Sequence, residues 1–179
     1  MKRIYINTLI LMLGLFASAQ TTGDREYQVK AAFLFNFSQF VEWPSAVLPE
    51  PGAALVIGIL GENPFDSYLQ AIISGEVVNG HPLTIQQYKN VDEIKTCHIL
   101  FINIHDTNKL IDVLTALKGR NILTVSDAGN FIRLGGMVTF ITRHNKIRIR
   151  INPERAKDAD LMISSKLLRV AEIVSQDNN

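Results

Sequence analysis

CHILFINIHDTNKLIDVLTAL, residues 97–117, passes from one periodicity to another. His98 to Ile104 is an almost unbroken apolar run of strand length, and from Asn108 to Leu117 the apolar residues Leu110, Ile111, Leu114 and Leu117 recur at helical spacing. A strand buried on both faces and then a helix is half of a βαβ unit. Working outward, residues 54–60, 83–88 and 122–126 read as further strands, and 65–73 as a helical or loop connection. Strands separated by helices of this length predict a largely parallel sheet. After residue 136 the rhythm changes: 137–142 and 146–152 are strand-like and meet at Arg143-His144-Asn145, a hairpin signal. In the second of these, Ile147, Ile149 and Ile151 alternate with Lys146, Arg148 and Arg150, which predicts one buried and one wet face. Asn152-Pro153-Glu154 then reads as an N-cap, a proline at the first helical position and an early acid. It opens a helical region toward Val174, with a break at Asp158-Ala159-Asp160 and a second helix from Ser164. The expected fold is α/β: a single domain with a mainly parallel open sheet, extended by an antiparallel C-terminal hairpin, with helices on both faces.

At the other end, Lys2 and Arg3 precede an apolar run from Leu9 to Phe16 and the small residues Ala17-Ser18-Ala19. That order predicts a signal peptide over residues 1–19, cleaved to leave 20–179 as the exported domain. The apolar run is shorter than the roughly 20 residues a spanning helix needs. Loss of Lys2 and Arg3 moves the net charge from +1 to about −1, which leaves no basic excess for nucleic acid. Cys97 is the only cysteine, so an internal disulfide is excluded, and its apolar neighbours predict an inert core thiol.

KAAFLFNFSQFVEWP, residues 30–44, predicts an amphipathic helix over 25–41 that ends near Glu42, because Pro44 biases Trp43 out of helical conformation. At 100° per residue, Val29, Phe33, Asn36, Phe37, Phe40 and Val41 share one face and Gln28, Phe35, Gln39 and Glu42 the other. Lys30 falls at the stripe's edge, a place for its stem to snorkel. Phe35 and Trp43, off the main stripe, carry two open readings: cover from a neighbouring loop, or a contact surface that includes Glu42.

Catalytic chemistry is poorly supported. His81, His98, His105 and His144 show neither HxH nor HExxH spacing, so no metal site is expected. Ser126 lies in VSDAG, which is not a GxSxG elbow. Gly135-Gly136 lacks a phosphate-loop context and reads as a turn or bulge before the next strand. No catalytic residue and no cofactor is therefore assigned. A non-catalytic cleft is expected beyond the C-terminal ends of the parallel strands. There Gly61, Glu62 and Asn63, His105 and Asp106, and Ser126 and Asp127 would converge, although capping and turn roles explain several of them individually.

Five stretches in order, KAAFLFNFSQFVEWP, IGILGENPF, CHILFI, NILTVSDAGNFIRLGGMVTF and IRIRINPERAKDADLMISSKLLRVA, resemble the YfiR/HmsC-like family and span nearly all of residues 20–179. The resemblance implies a periplasmic α/β domain, often a homodimer, without enzymatic activity. Such a protein represses an inner-membrane diguanylate cyclase by binding its outward-facing sensor domain, is sequestered by an outer-membrane lipoprotein, and so controls cyclic di-GMP and biofilm formation. Two departures stand out. The cysteines that bridge those relatives are reduced here to Cys97, and Arg150 stands where the family often carries an acid, a reversal that bears on partner choice. The expected function is a regulator that binds an inner-membrane signalling protein, a cyclase or a kinase sensor domain. The alternatives are a small-molecule binding protein serving a membrane sensor or transporter and, behind it, a periplasmic hydrolase.

Overall fold

The computed structural model describes residues 22–48, 52–144 and 146–174. The predicted signal peptide lies outside them. In chain order the elements are α1 (Thr22–Phe40), β1 (Val41–Glu42), β2 (Leu55–Gly61), α2 (Tyr68–Ile73), β3 (Val77–Val78) and β4 (His81–Tyr88). After a 3₁₀ turn come β5 (Ile99–Asn103), α3 (Thr107–Ala116), β6 (Leu123–Ser126), β7 (Val138–Arg143) and β8 (Lys146–Ile151). The chain continues through α4 (Pro153–Asp158), β9 (Met162–Ile163), α5 (Ser165–Leu168) and β10 (Glu172–Ile173).

The main sheet has eight strands in the order β10-β8-β7-β6-β5-β2-β4-β3. β4, β2, β5, β6 and β7 run parallel, and β8 returns antiparallel to β7. The central strands β2 and β5 are apolar at nearly every position because each face meets a separate core. Ile57, Ile59, Ile99 and Phe101 pack under α1 and α2, while Leu60, Leu100 and Ile102 pack with Leu110 and Val113 of α3 and with Leu117 just past its end. The predicted α/β class, parallel sheet, C-terminal hairpin and two helical layers are all present.

The expected burial of α1 needs correction in two respects. The apolar face of α1 is rotated from the predicted one: Ala31, Leu34, Phe37 and Val41 are buried, whereas Val29 is exposed. Lys30 does not snorkel; it is buried, 2% exposed, because carboxylates wait for it inside. The C-terminal helical region is interrupted at the expected place, and its second helix stops at Leu168, short of Val174. It breaks after Asp158, where Asp160 takes a positive φ of 55°, and the short α5 starts where Ser164 caps Lys166 N. The intervening β9 pairs antiparallel with β1, Val41 opposite Ile163, so the end of α1 is fastened to the C-terminal segment.

Gly135-Gly136 is a turn. Gly135 has φ +103°, and a Cβ on Gly136 would collide with the ring of buried Phe131. That close approach, not phosphate binding, accounts for the glycine pair.

Candidate functional site

The sheet order reverses between β2 and β5, since β4 lies on one side of β2 and β5 on the other. A crevice at the strand ends is normally expected at such a point. Here it is bridged: the Asn103 side-chain amide donates to Glu62 O at 2.9 Å. Gly61, at φ +98°, lies so near Asn103 that a Cβ would sit 2.7 Å from its carbonyl oxygen.

The other strand-end residues are spent on local structure. Asn63 Oδ1 accepts from Phe65 N, and Asp106 Oδ1 accepts from Lys109 N as the N-cap of α3. His105 is exposed between them. Ser126 is fully buried; its hydroxyl donates to Ile102 O at 2.8 Å and accepts from Ala128 N, so its oxygen stitches β6 to the end of β5. A nucleophile needs an adjacent base and access to substrate. Ser126 has carbonyl and amide partners in a closed interior.

Asp127 alone belongs to a charged cluster. Its Oδ2 accepts from Lys30 Nζ at 2.6 Å and from Tyr27 OH at 3.2 Å, while Lys30 also pairs with Glu26 Oε1 at 2.7 Å. Thr142 at the end of β7 donates to the same Glu26 oxygen. Burial opposes the Lys30 charge, but its hydrogen bonds to Asp127 and Glu26 outweigh it and hold the ammonium above its usual pKa. Burial, then the Asp127 charge, pushes the Tyr27 phenol upward. Asp127 Oδ1 is buried without a protein partner. Sequence reasoning singled out Asp127 but missed its partners; the one available signal was a lysine interrupting the apolar stripe of α1.

The aromatic candidates lie apart from this cluster. Trp43 is half-buried, donates from Nε1 to His98 O at 3.2 Å and meets the His98 ring edge-on. Phe35 is half-buried against the α1 core, and Glu42 is exposed in β1. Arg150, on the outer side of the hairpin, binds Glu172 Oε2 at 3.0 Å, and Arg143 binds the other oxygen at 3.3 Å. Hydrogen bonding from Arg150, with the neighbouring arginine charges, holds the Glu172 carboxyl below its usual pKa. The candidates therefore fall into three places: the sheet's C-terminal ends, the α1–β1 junction and the β8–β10 edge.

Among the described residues no group of three His, Cys, Asp or Glu side chains has the geometry to hold a metal ion. Nor is any helix among them long and apolar enough to cross a membrane. A search of curated proteins returns no match. The sequence profile of the YfiR/HmsC-like family matches residues 27–172, from the first turns of α1 to the start of β10. With its sheet, both helical layers and the closing hairpin inside that match, the chain belongs to the YfiR/HmsC-like family of periplasmic regulators.

Proposed function

We propose that this protein is exported to the periplasm and acts without catalysis, binding the outward-facing domain of an inner-membrane signalling enzyme of the diguanylate cyclase type and repressing it. Family membership supports a regulatory role. The observation that carries the non-catalytic reading is the use made of the strand-end polar groups. Asn63, Asn103, Asp106 and Ser126 are each engaged with backbone, and the expected crevice is bridged. Regulation then follows from linkage: a binder that prefers one state of the enzyme shifts its population by the difference in affinity. An outer-membrane lipoprotein that competes for the same molecule reverses the shift.

The test is capture of the tagged protein from solubilised membranes under low salt. Recovery of a membrane signalling enzyme whose activity falls on addition of the purified protein supports the reading. Recovery of no protein partner, together with saturable binding of a metabolite, favours the small-molecule alternative. Export has its own check: mass spectrometry of the fractionated protein should give an N-terminus at Gln20.

A further inference from the structure

The outer edge of β8 is only half covered. β10 pairs with Arg150 and Ile151 alone, and among the described residues no strand lies outside 146–149. Ile151 O accepts from Val174 N on that outer side, so the alternation of a strand turns the N–H and C=O of Ile147 outward as well. Beside this open edge lies a groove of about 380 Å³ lined by Phe33, Ile147, Ile149 and Val170, with Arg148 and Arg169 on its walls. Val170, one of the lining residues, is 71% exposed and offers an apolar lip. Around it stand the exposed cations Arg143, Lys146, Arg148 and Arg169. The nearby carboxylate, Glu172, is already held by Arg143 and Arg150.

We propose that this edge docks an extended, acidic segment of a partner protein. The segment adds as a short strand along residues 146–149, places an apolar side chain in the groove between Phe33 and Val170, and sets its acids against Arg148 and Arg169. The proposal deepens the function proposed above by naming the surface and the chemistry that fits it. Three features single out this occupant. A second copy would bring the same cations against their own kind, since lysine and arginine on an edge strand discourage self-pairing. The chain's own C-terminal segment runs parallel to β8, so at Val174 it points away from Lys146. An anionic bilayer offers charge but no strand to satisfy the backbone groups of Ile147, whereas an added strand satisfies both.

The experiment replaces Val170 with a photo-crosslinking benzoylphenylalanine in the full chain, in cells, and does the same at exposed Met162 as a distant control. The expected result is a crosslink from position 170, absent from position 162, to a segment of another protein that is acidic and alternately apolar. That crosslink should fall at least about tenfold in Arg148→Glu/Arg169→Glu, with an unchanged urea midpoint. If that double variant is unfolded, Arg148→Gln/Arg169→Gln serves, with the crosslink of the wild type declining as salt is raised. A crosslink to a second copy, to a neutral or basic segment, or to nothing overturns the proposal. So does cosedimentation with phosphatidylglycerol vesicles that the charge-reversed variant loses. The two readings separate cleanly: an acidic partner that is not a membrane signalling protein sinks the proposed function and leaves this surface standing. A membrane signalling partner crosslinked elsewhere does the reverse.

Discussion

Lys30 Nζ and Asp127 Oδ2 lie 2.6 Å apart across 97 positions of sequence, an ion pair that fixes α1 over the end of β6. Removing one partner of a buried pair leaves a charge stranded. Asp127→Asn should therefore cost about 3 kcal/mol, the low end of that range because Glu26 remains on Lys30. Lys30→Met combined with Asp127→Leu should fall within about 1 kcal/mol of the parent, since apolar packing often replaces a buried pair without loss. Urea melts of the single and double variants decide it. A double variant as unstable as the single would mean the pair contributes net stability.

His98 sets a pH dependence. Its Nδ1 accepts from Val56 N at 3.0 Å, so Nε2 carries the proton and donates to Val47 O at 3.2 Å. Burial first, then the nearby charge of His81, holds its pKa below the ordinary value while its Val47 bond opposes them. The folded state thus binds fewer protons than the unfolded one. Stability from this group is complete above the unfolded pKa of about 6.5 and declines as pH falls through the lower folded value. His98→Gln should flatten the fall in urea midpoint between pH 7.5 and 5. An equally steep fall in the variant would assign the effect elsewhere.

Cys97 should be unreactive in the native state. Burial pushes its thiol up to about 12, and its Sγ lies against Ile99 O at 3.2 Å. Labelling by a thiol reagent at pH 8 should proceed only as fast as the protein opens. Fast labelling would place the side chain at the surface.

The glycine opposite that thiol supplies another measurement. A Cβ on Gly58 would stand 2.7 Å from Cys97 Sγ, 2.8 Å from Tyr88 Cε2 and 2.9 Å from Leu100 Cδ1. All three neighbours are buried, so Gly58→Ala should cost about 1–3 kcal/mol from overpacking. Adding Cys97→Ala should recover part of the loss. No coupling between the two would show that Tyr88 or Leu100 is the rigid obstacle.

Aromatic residues of one short stretch should separate by role. Phe37 is fully buried and stacked on Phe140 with ring centroids 6.2 Å apart, so Phe37→Ala should cost about 3–5 kcal/mol. Trp43→Phe keeps an aromatic ring, though a smaller one, and loses the bond to His98 O, a loss of about 1 kcal/mol. Thermal melts distinguish them, and equal losses would contradict this division.

Most strands were legible because β2 and β5 are covered on both faces, which leaves little choice of residue along them. The hairpin was legible from its turn and from the alternating isoleucines of β8. The orientation of α1 was not, because a helical wheel treats Lys30 as a surface residue and cannot see a carboxylate 97 positions away. Nor does periodicity reveal β9 and β10, two residues each, whose pairing is decided by where the chain has already been brought. At the strand ends the residues could be named from the sequence, but no local pattern in it tells that Asn103 reaches across to Glu62 and bridges the expected crevice.

The rings of Phe33 and Phe37 finish against Phe140, although the helix that carries them is made long before that strand. A chain synthesised at about 5–20 residues per second separates Lys30 from Asp127 by roughly 5–20 s, and Phe140 follows later still. Throughout that interval the aromatic face of α1 lacks the ring that completes its packing. The first helix is thus completed only by a strand about a hundred positions further on.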